Sequence, residues 1–172
     1  GGLGDDALDG GAITDLTDAR NGNRASYDSA PLAVAVDLIA GTATDGVDTD
    51  TLVNINQVTG TTGADTLLGS NATDWNEQFR GGAGNDSIDG RGGFDNVAYD
   101  RSTSAVNVNL VTGTASDGFG YTDTLSHIEG IRGSAYNDVL TGGLAANGTS
   151  VSDGLSERFI GNAGNDTIDG GQ

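Results

Sequence analysis

Gly81-Gly82-Ala83-Gly84-Asn85-Asp86-Ser87-Ile88-Asp89 runs straight into Gly90-Arg91-Gly92-Gly93-Phe94-Asp95-Asn96-Val97-Ala98, one nine-residue phrase written twice. The shared template is G-G-x-G-x-D-x-U-x, with U a large apolar residue. Gly1-Gly2-Leu3-Gly4-Asp5-Asp6-Ala7-Leu8-Asp9 and Gly161-Asn162-Ala163-Gly164-Asn165-Asp166-Thr167-Ile168-Asp169 repeat it towards either end. Its chemistry divides in two. The glycines let the backbone turn tightly and aim carbonyl oxygens inward, and the sixth-place Asp adds a carboxylate. The last three residues run as a short strand whose apolar side chain enters a core. Oxygen donors alone, on a tight loop, suit a hard cation, which points to calcium.

The phrase resembles the nonapeptide of the RTX (repeats-in-toxin, hemolysin-type) calcium-binding family. That resemblance implies an all-β fold, a parallel β-helix or β-roll solenoid with glycine-rich calcium-binding turns. It also implies the ligands, since in the family the carbonyls of the glycine-rich stretch and the sixth-place Asp hold the ion. Carried over, the metal residues are Gly81, Gly82, Ala83, Gly84 and Asp86, then Gly90, Gly92, Gly93 and Asp95. Gly1, Gly2, Leu3, Gly4 and Asp6 follow, with Gly161, Ala163, Gly164 and Asp166. Asn162 stands where the family has a glycine.

A larger repeat surrounds the phrase. Ala25-Ser26-Tyr27-Asp28 aligns with Val97-Ala98-Tyr99-Asp100, and Ala33–Gly46 with Ala105–Gly118, at an offset of 72 residues. Glu77-Gln78-Phe79 then aligns with Glu157-Arg158-Phe159 after an insertion in the later copy. The expected organisation is a partial repeat plus insertion over 1–24, a first β-roll module over 25–98 and a second over 99–172, forming one solenoid. At two nonapeptides per coil, 72 residues make about four coils of 18. Degenerate turns keep the acid and the apolar residue two places on: Asp50 with Leu52, Asp65 with Leu67, Asp123 with Leu125, Asp138 with Leu140. Each of these four acids is either a ligand or an Asx turn that holds a corner without metal. Val34, Val36 and Leu38, and again Val106, Val108 and Leu110, alternate with polar residues, so one face of each strand is buried.

Composition agrees. The formal charge is −18, with 25 acids against seven basic residues, all arginine. Only Glu77, Glu129 and Glu157 are glutamate, and the Asp bias places carboxylates in turns. Charge arithmetic leaves room for ~4–8 calcium ions. Without them, stacked coils align like charges, so folding should be coupled to the metal. A disordered acidic chain shares this composition; the strict apolar register makes it a description of the metal-free state. Nucleic acid is excluded as a partner by charge. No apolar run approaches the ~20 residues of a membrane span, and no cysteine is present.

An enzymatic reading finds little support. His127 is the only histidine, and the other copy has Asn54 in its place. Acid pairs recur with the repeat, whereas a catalytic pair usually appears once. Trp75 is unmatched and is expected to pack on its own loop. Asn71-Ala72-Thr73 and Asn147-Gly148-Thr149 match glycosylation sequons by chance composition. Both termini fall inside the phrase, and the expectation is a segment of a longer repetitive protein. The resemblance implies a secreted or cell-surface protein of bacteria, exported by type I secretion and folding on extracellular calcium. The alternatives are a passive adhesin or surface-layer extender rod, or an accessory module of a secreted epimerase, lipase or protease. Its partners would be calcium, neighbouring modules of the same chain, and a cell-surface or matrix component of unstated kind.

Overall fold

Among the described residues the parallel strands share one local rule: a hinge residue, at the start of the strand or just before it, then three residues whose middle side chain points inward. The computed structural model describes residues 3–12, 22–143 and 157–171. Its elements in the first half are β1 (Ala7–Asp9), β2 (Arg24–Ser26), β3 (Ala35–Asp37), β4 (Thr42–Thr44), β5 (Thr49–Val53), β6 (Gln57–Thr59), β7 (Thr66–Leu68) and β8 (Asn76–Arg80). Then come β9 (Ser87–Asp89), β10 (Phe94–Ala98), β11 (Asn107–Asn109), β12 (Thr114–Ser116), β13 (Thr122–Ser126), β14 (Gly130–Arg132), β15 (Val139–Thr141), β16 (Arg158–Ile160) and β17 (Thr167–Asp169). Among the described residues there is no helix.

The chain shuttles between two sheets. The short one, β16-β14-β10-β8-β6-β2, has six strands and is parallel throughout. The long one, β1-β5-β4-β3-β7-β9-β13-β12-β11-β15-β17, has eleven. Register stacks like on like. In the short sheet Ala25, Val58, Phe79, Val97, Ile131 and Phe159 form one inward column. In the long sheet Val36, Leu67, Ile88 and Leu125 form a second, and Val108, Leu140 and Ile168 a third. These columns are the core, and each fully buried side chain contributes roughly 1.5–3 kcal/mol. Strand pairing passes through the 98/99 module boundary without a break, since β9 pairs with β13 and β10 with β14.

Coil length differs from the sequence expectation. Gln57 pairs with Arg24 and with Gln78, and Gln78 with Asn96, so 72 residues make three coils of 33, 21 and 18 residues, not four of 18. The long coil carries a hairpin. Gly41 and Gly46, at φ 65° and 87°, reverse the chain on either side of β4, which runs antiparallel between β3 and β5. Gly113 and Gly118, at 65° and 76°, do the same for β12. The tyrosines of the matched Tyr27-Asp28 and Tyr99-Asp100 pairs serve these hairpins: each reaches from the end of a short-sheet strand to an aspartate at the start of β5 or β13. Ile168, expected in the core, is 48% exposed because β17 has a partner on one side only. The insertions expected around 12–24 and 145–154 fall largely outside the described residues.

Phe79 is fully buried at the centre of the short sheet. Phe79→Ala should cost about 3–5 kcal/mol in urea unfolding with calcium present. Ile39→Ala, at an exposed position, should stay within about 0.5 kcal/mol.

Candidate metal centre

The hinge residue before each strand forms two columns, one at each edge of the solenoid. At the edge where the chain enters the long sheet stand Asp6, Asp50, Asp65, Asp86, Asp123, Asp138 and Asp166, with Val34 and Val106 at the hairpin starts. Where it enters the short sheet stand Asn23, Asn56, Glu77, Asp95, Glu129 and Glu157. One bond recurs along both. The side-chain oxygen accepts the backbone N–H of the hinge residue one coil earlier: Asp50 from Asp6, Asp65 from Val34, Asp86 from Asp65 and Asp123 from Asp86. Asp138 takes the N–H of Val106, Asp166 that of Asp138, Glu129 that of Asp95 and Asn56 that of Asn23, all at 2.7–3.0 Å.

What happens at the second oxygen sorts the acids. Asp65 Oδ2 accepts the Thr61 N–H, and its Oδ1 the Thr61 hydroxyl. Asp138 is held identically by Ser134. Asp50 Oδ2 accepts the Tyr27 hydroxyl and Asp123 Oδ2 that of Tyr99. All four degenerate-turn acids therefore have protein donors on both oxygens, as corner-holding residues do. Asp86 and Asp95 differ. Asp86 Oδ2 and both oxygens of Asp95 are buried with no hydrogen-bond partner, in residues 2% and 1% exposed. These are the acids of the directly tandem phrases.

The glycines bring neighbouring turns into contact. At Gly82, φ 106°, a Cβ would collide with the Thr61 carbonyl oxygen, and at Gly84, φ 128°, with that of Gly63. Gly93 lies against the Ala72 carbonyl and Gly164 against that of Tyr136. Gly90 packs on the His127 carbonyl, and Gly92 beside Asn71. Carbonyl oxygens thus crowd the same seams in which Asp86 and Asp95 stand. At the N-terminal phrase, Gly4 donates to Asp48, Leu3 is exposed, and Gly1 and Gly2 lie outside the described residues. Gly161, Ala163, Gly164 and Asp166 form the last turn, more open to solvent. Among the described residues no group of three or more His, Cys, Asp or Glu side chains is placed to share one ion. Any cation here must draw on main-chain carbonyls as well.

Burial dominates the electrostatics. It pushes the Asp95 carboxyl up to about 10, helped by the charges of Glu77, Glu129 and Asp89. Asp86 is pushed up to about 7 by burial and by Asp123, Asp65 and Asp117. Asp123 rises to about 6, again through burial, with Asp117 and Asp65 adding to it. Arginine gives these groups no ion pair: among the described residues it pairs with Asp28, Asp37 and Asp100. Buried oxygens without donors, high proton affinity, and nearby carbonyls fit a divalent hard cation.

Sequence reading missed Glu77, Glu129 and Glu157 as members of the short-sheet column, although they are the only glutamates. It also missed Asp117, fully buried, whose Oδ1 takes three N–H groups of the β12–β13 turn while Oδ2 has no partner. His127 has a structural place. At φ 51° it bonds Asp89, as Asn54 at φ 55° bonds Asp9. The Trp75 indole N–H points to Glu77 in its own loop.

A family model for the RTX calcium-binding nonapeptide repeat matches in four copies, over residues 54–75, 76–100, 131–147 and 152–172. The chain belongs to the RTX calcium-binding repeat family. It is a calcium-binding β-roll module, and the resemblance drawn from the phrase holds. A search of curated proteins gives no match.

The raised carboxyls set a pH dependence for this RTX β-roll. A folded-state pKa above the unfolded value near 3.8 adds stability that is complete below it and lost as pH rises through the folded value. In chelator, β-sheet circular dichroism should therefore be stronger at pH 5 than at pH 8. Calcium should abolish the difference. Equal chelator spectra at both pH values would contradict the assignment of buried, donor-poor acids.

Proposed function

We propose that this chain is a non-catalytic segment of a large secreted bacterial protein, in which calcium acts as the folding switch. The observation that carries this is the pair of buried acids, Asp86 and Asp95, left with unpartnered oxygens inside stacked glycine turns. Taking carboxylates out of water without donors is costly, and a divalent cation removes that cost. Calcium would be held by Asp86, Asp95 and Asp166 with carbonyls of the turns 60–65, 69–77 and 133–138 stacked beside them. When bound, the ion neutralises the acid columns and ties adjacent coils together.

Calcium chemistry supports an extracellular setting. Where calcium is scarce, as inside a cell, the chain would stay unfolded and fit for type I export. At millimolar calcium outside, it would fold. The absence of cysteine suits a module that must remain unfolded before release. A non-enzymatic role is supported by the turn-holding place of the sole histidine. The second reading is an extender rod of an adhesin, favoured by strand pairing that continues from one module into the next.

Circular dichroism in chelator should show a largely disordered chain at pH 8, converting to β structure with millimolar calcium. Magnesium should substitute poorly, since its octahedral demand and tightly held waters do not suit carbonyl-rich turns. Asp86→Ala and Asp95→Ala should each raise the calcium midpoint several-fold. Asp28→Ala removes only an exposed pair with Arg101 and should leave the midpoint unchanged. A fully β-rich spectrum in chelator at pH 8 sinks the switch.

A further inference from the structure

We propose that the second residue of each turn decides whether that turn takes calcium, and that a serine or threonine there stands in for the ion. The proposal rests on the calcium-binding reading above and says where within the roll the ions go.

Three turns carry a hydroxyl at this place, and all three close in the same way. Thr61 gives its N–H and its hydroxyl to the two oxygens of Asp65, and its hydroxyl accepts the Gly63 N–H. Ser134 gives the same pair of bonds to Asp138 and accepts from Tyr136. Ser70 does so for Glu77 and accepts from Ala72, although its turn is three residues longer. Two donors from one residue thus cover both oxygens of the acid. The hydroxyl is in turn oriented by a main-chain N–H two residues on, so the latch is complete within its own loop.

Turns without the hydroxyl have no such closure. Gly82 occupies the second place before Asp86, and Arg91 before Asp95; these are the acids whose oxygens stay unpartnered while the residues are about 98–99% buried. Gly143 takes the second place before Glu157. Its N–H reaches Oε1, and the buried Oε2 has no partner. The two kinds of turn alternate in space. Latched turn 60–65 lies one coil before open turn 81–86, 69–77 before 90–95, and 133–138 before 161–166. Each latched turn presents carbonyls to its open neighbour: Thr61 and Gly63 face Gly82 and Gly84, Ala72 faces Gly93, and Tyr136 faces Gly164.

The division has a chemical reason. A carboxylate saturated by an N–H and an O–H has no need of a cation, whereas one deprived of donors binds a cation or a proton. The latched turn therefore forms a platform whose carbonyls are already aimed, and the open turn supplies the charged ligand. Asp65, Asp138 and Glu77 hold their corners and leave the ion to Asp86 and Asp95, whose oxygens stay unpartnered. Fewer ions bind than the number of acids in the columns.

Native mass spectrometry at saturating calcium tests this by counting ions per folded chain. Asp86→Ala and Asp95→Ala should each lose one ion, while Asp65→Ala and Asp138→Ala keep the wild-type count. Loss of an ion from Asp65→Ala or Asp138→Ala overturns the proposal, as does an unchanged count in both Asp86→Ala and Asp95→Ala. If Asp65→Ala does not fold, Thr61→Val decides. With the hydroxyl gone and Asp65 retained, the count should rise by one ion as that turn takes calcium, and Thr61→Ser should keep the wild-type count. A Thr61→Val count equal to wild type overturns the latch. Wild-type protein with no bound calcium would instead refute the calcium-binding reading on which the latch depends.

Discussion

A carboxylate taken out of water must be given donors or a cation, and this chain places its acids where that demand is met coil by coil. At eight hinge positions, Asp86 and Asp123 among them, the side chain reaches to the backbone N–H of the coil before it, so it is a rung of the solenoid in its own right. The remaining oxygen is then free to be used differently at each turn. The backbone N–H of Thr61 and Ser134 answers it at Asp65 and Asp138, and a tyrosine hydroxyl at Asp50 and Asp123. At Asp86 and Asp95 nothing in the protein does. The protein's own donors thus stop at these two acids.

The core and the edges do separate work. The apolar columns through Phe79 and Ile88 place an apolar side chain above and below these residues, Val58 and Val97 about Phe79, Leu67 and Leu125 about Ile88. They are thin, and the acid columns run beside them with few arginines to offset the charge. A domain only 5–15 kcal/mol more stable than its unfolded chain cannot absorb several uncompensated buried acids. Hence the acid columns at the edge, rather than the apolar centre, carry the unmet electrostatic demand.

Much of this was legible in the residues. The repeated phrase gave strand, turn and inward position together, because glycine, acid and apolar residue each have one physical use at their place. The 72-residue alignment marked Tyr27 with Tyr99 and Asn54 with His127 as equivalents, and each pair does one job. The hairpins escaped notice. Thr42-Ala43-Thr44 and Thr114-Ala115-Ser116 match one another in the alignment, but only the positive φ of the glycines flanking them shows that the chain turns back. Which acids lack donors was also hidden, since it depends on Thr61, Ser134 and the tyrosines reaching across space. The signal was present as a hydroxyl at the second place of the turn, but periodicity does not rank it.

The rungs all point one way. At every bond of the two columns the acceptor lies later in the chain than the donor, Asp50 answering Asp6 and Asp166 answering Asp138. A coil is therefore finished only by the coil that follows it. A chain that emerges from a pore carboxyl end first lays each new coil on an acceptor already in position. One that emerges amino end first leaves each coil waiting for its successor. The two columns therefore carry one polarity along the chain, each coil supplying the donors for the coil after it.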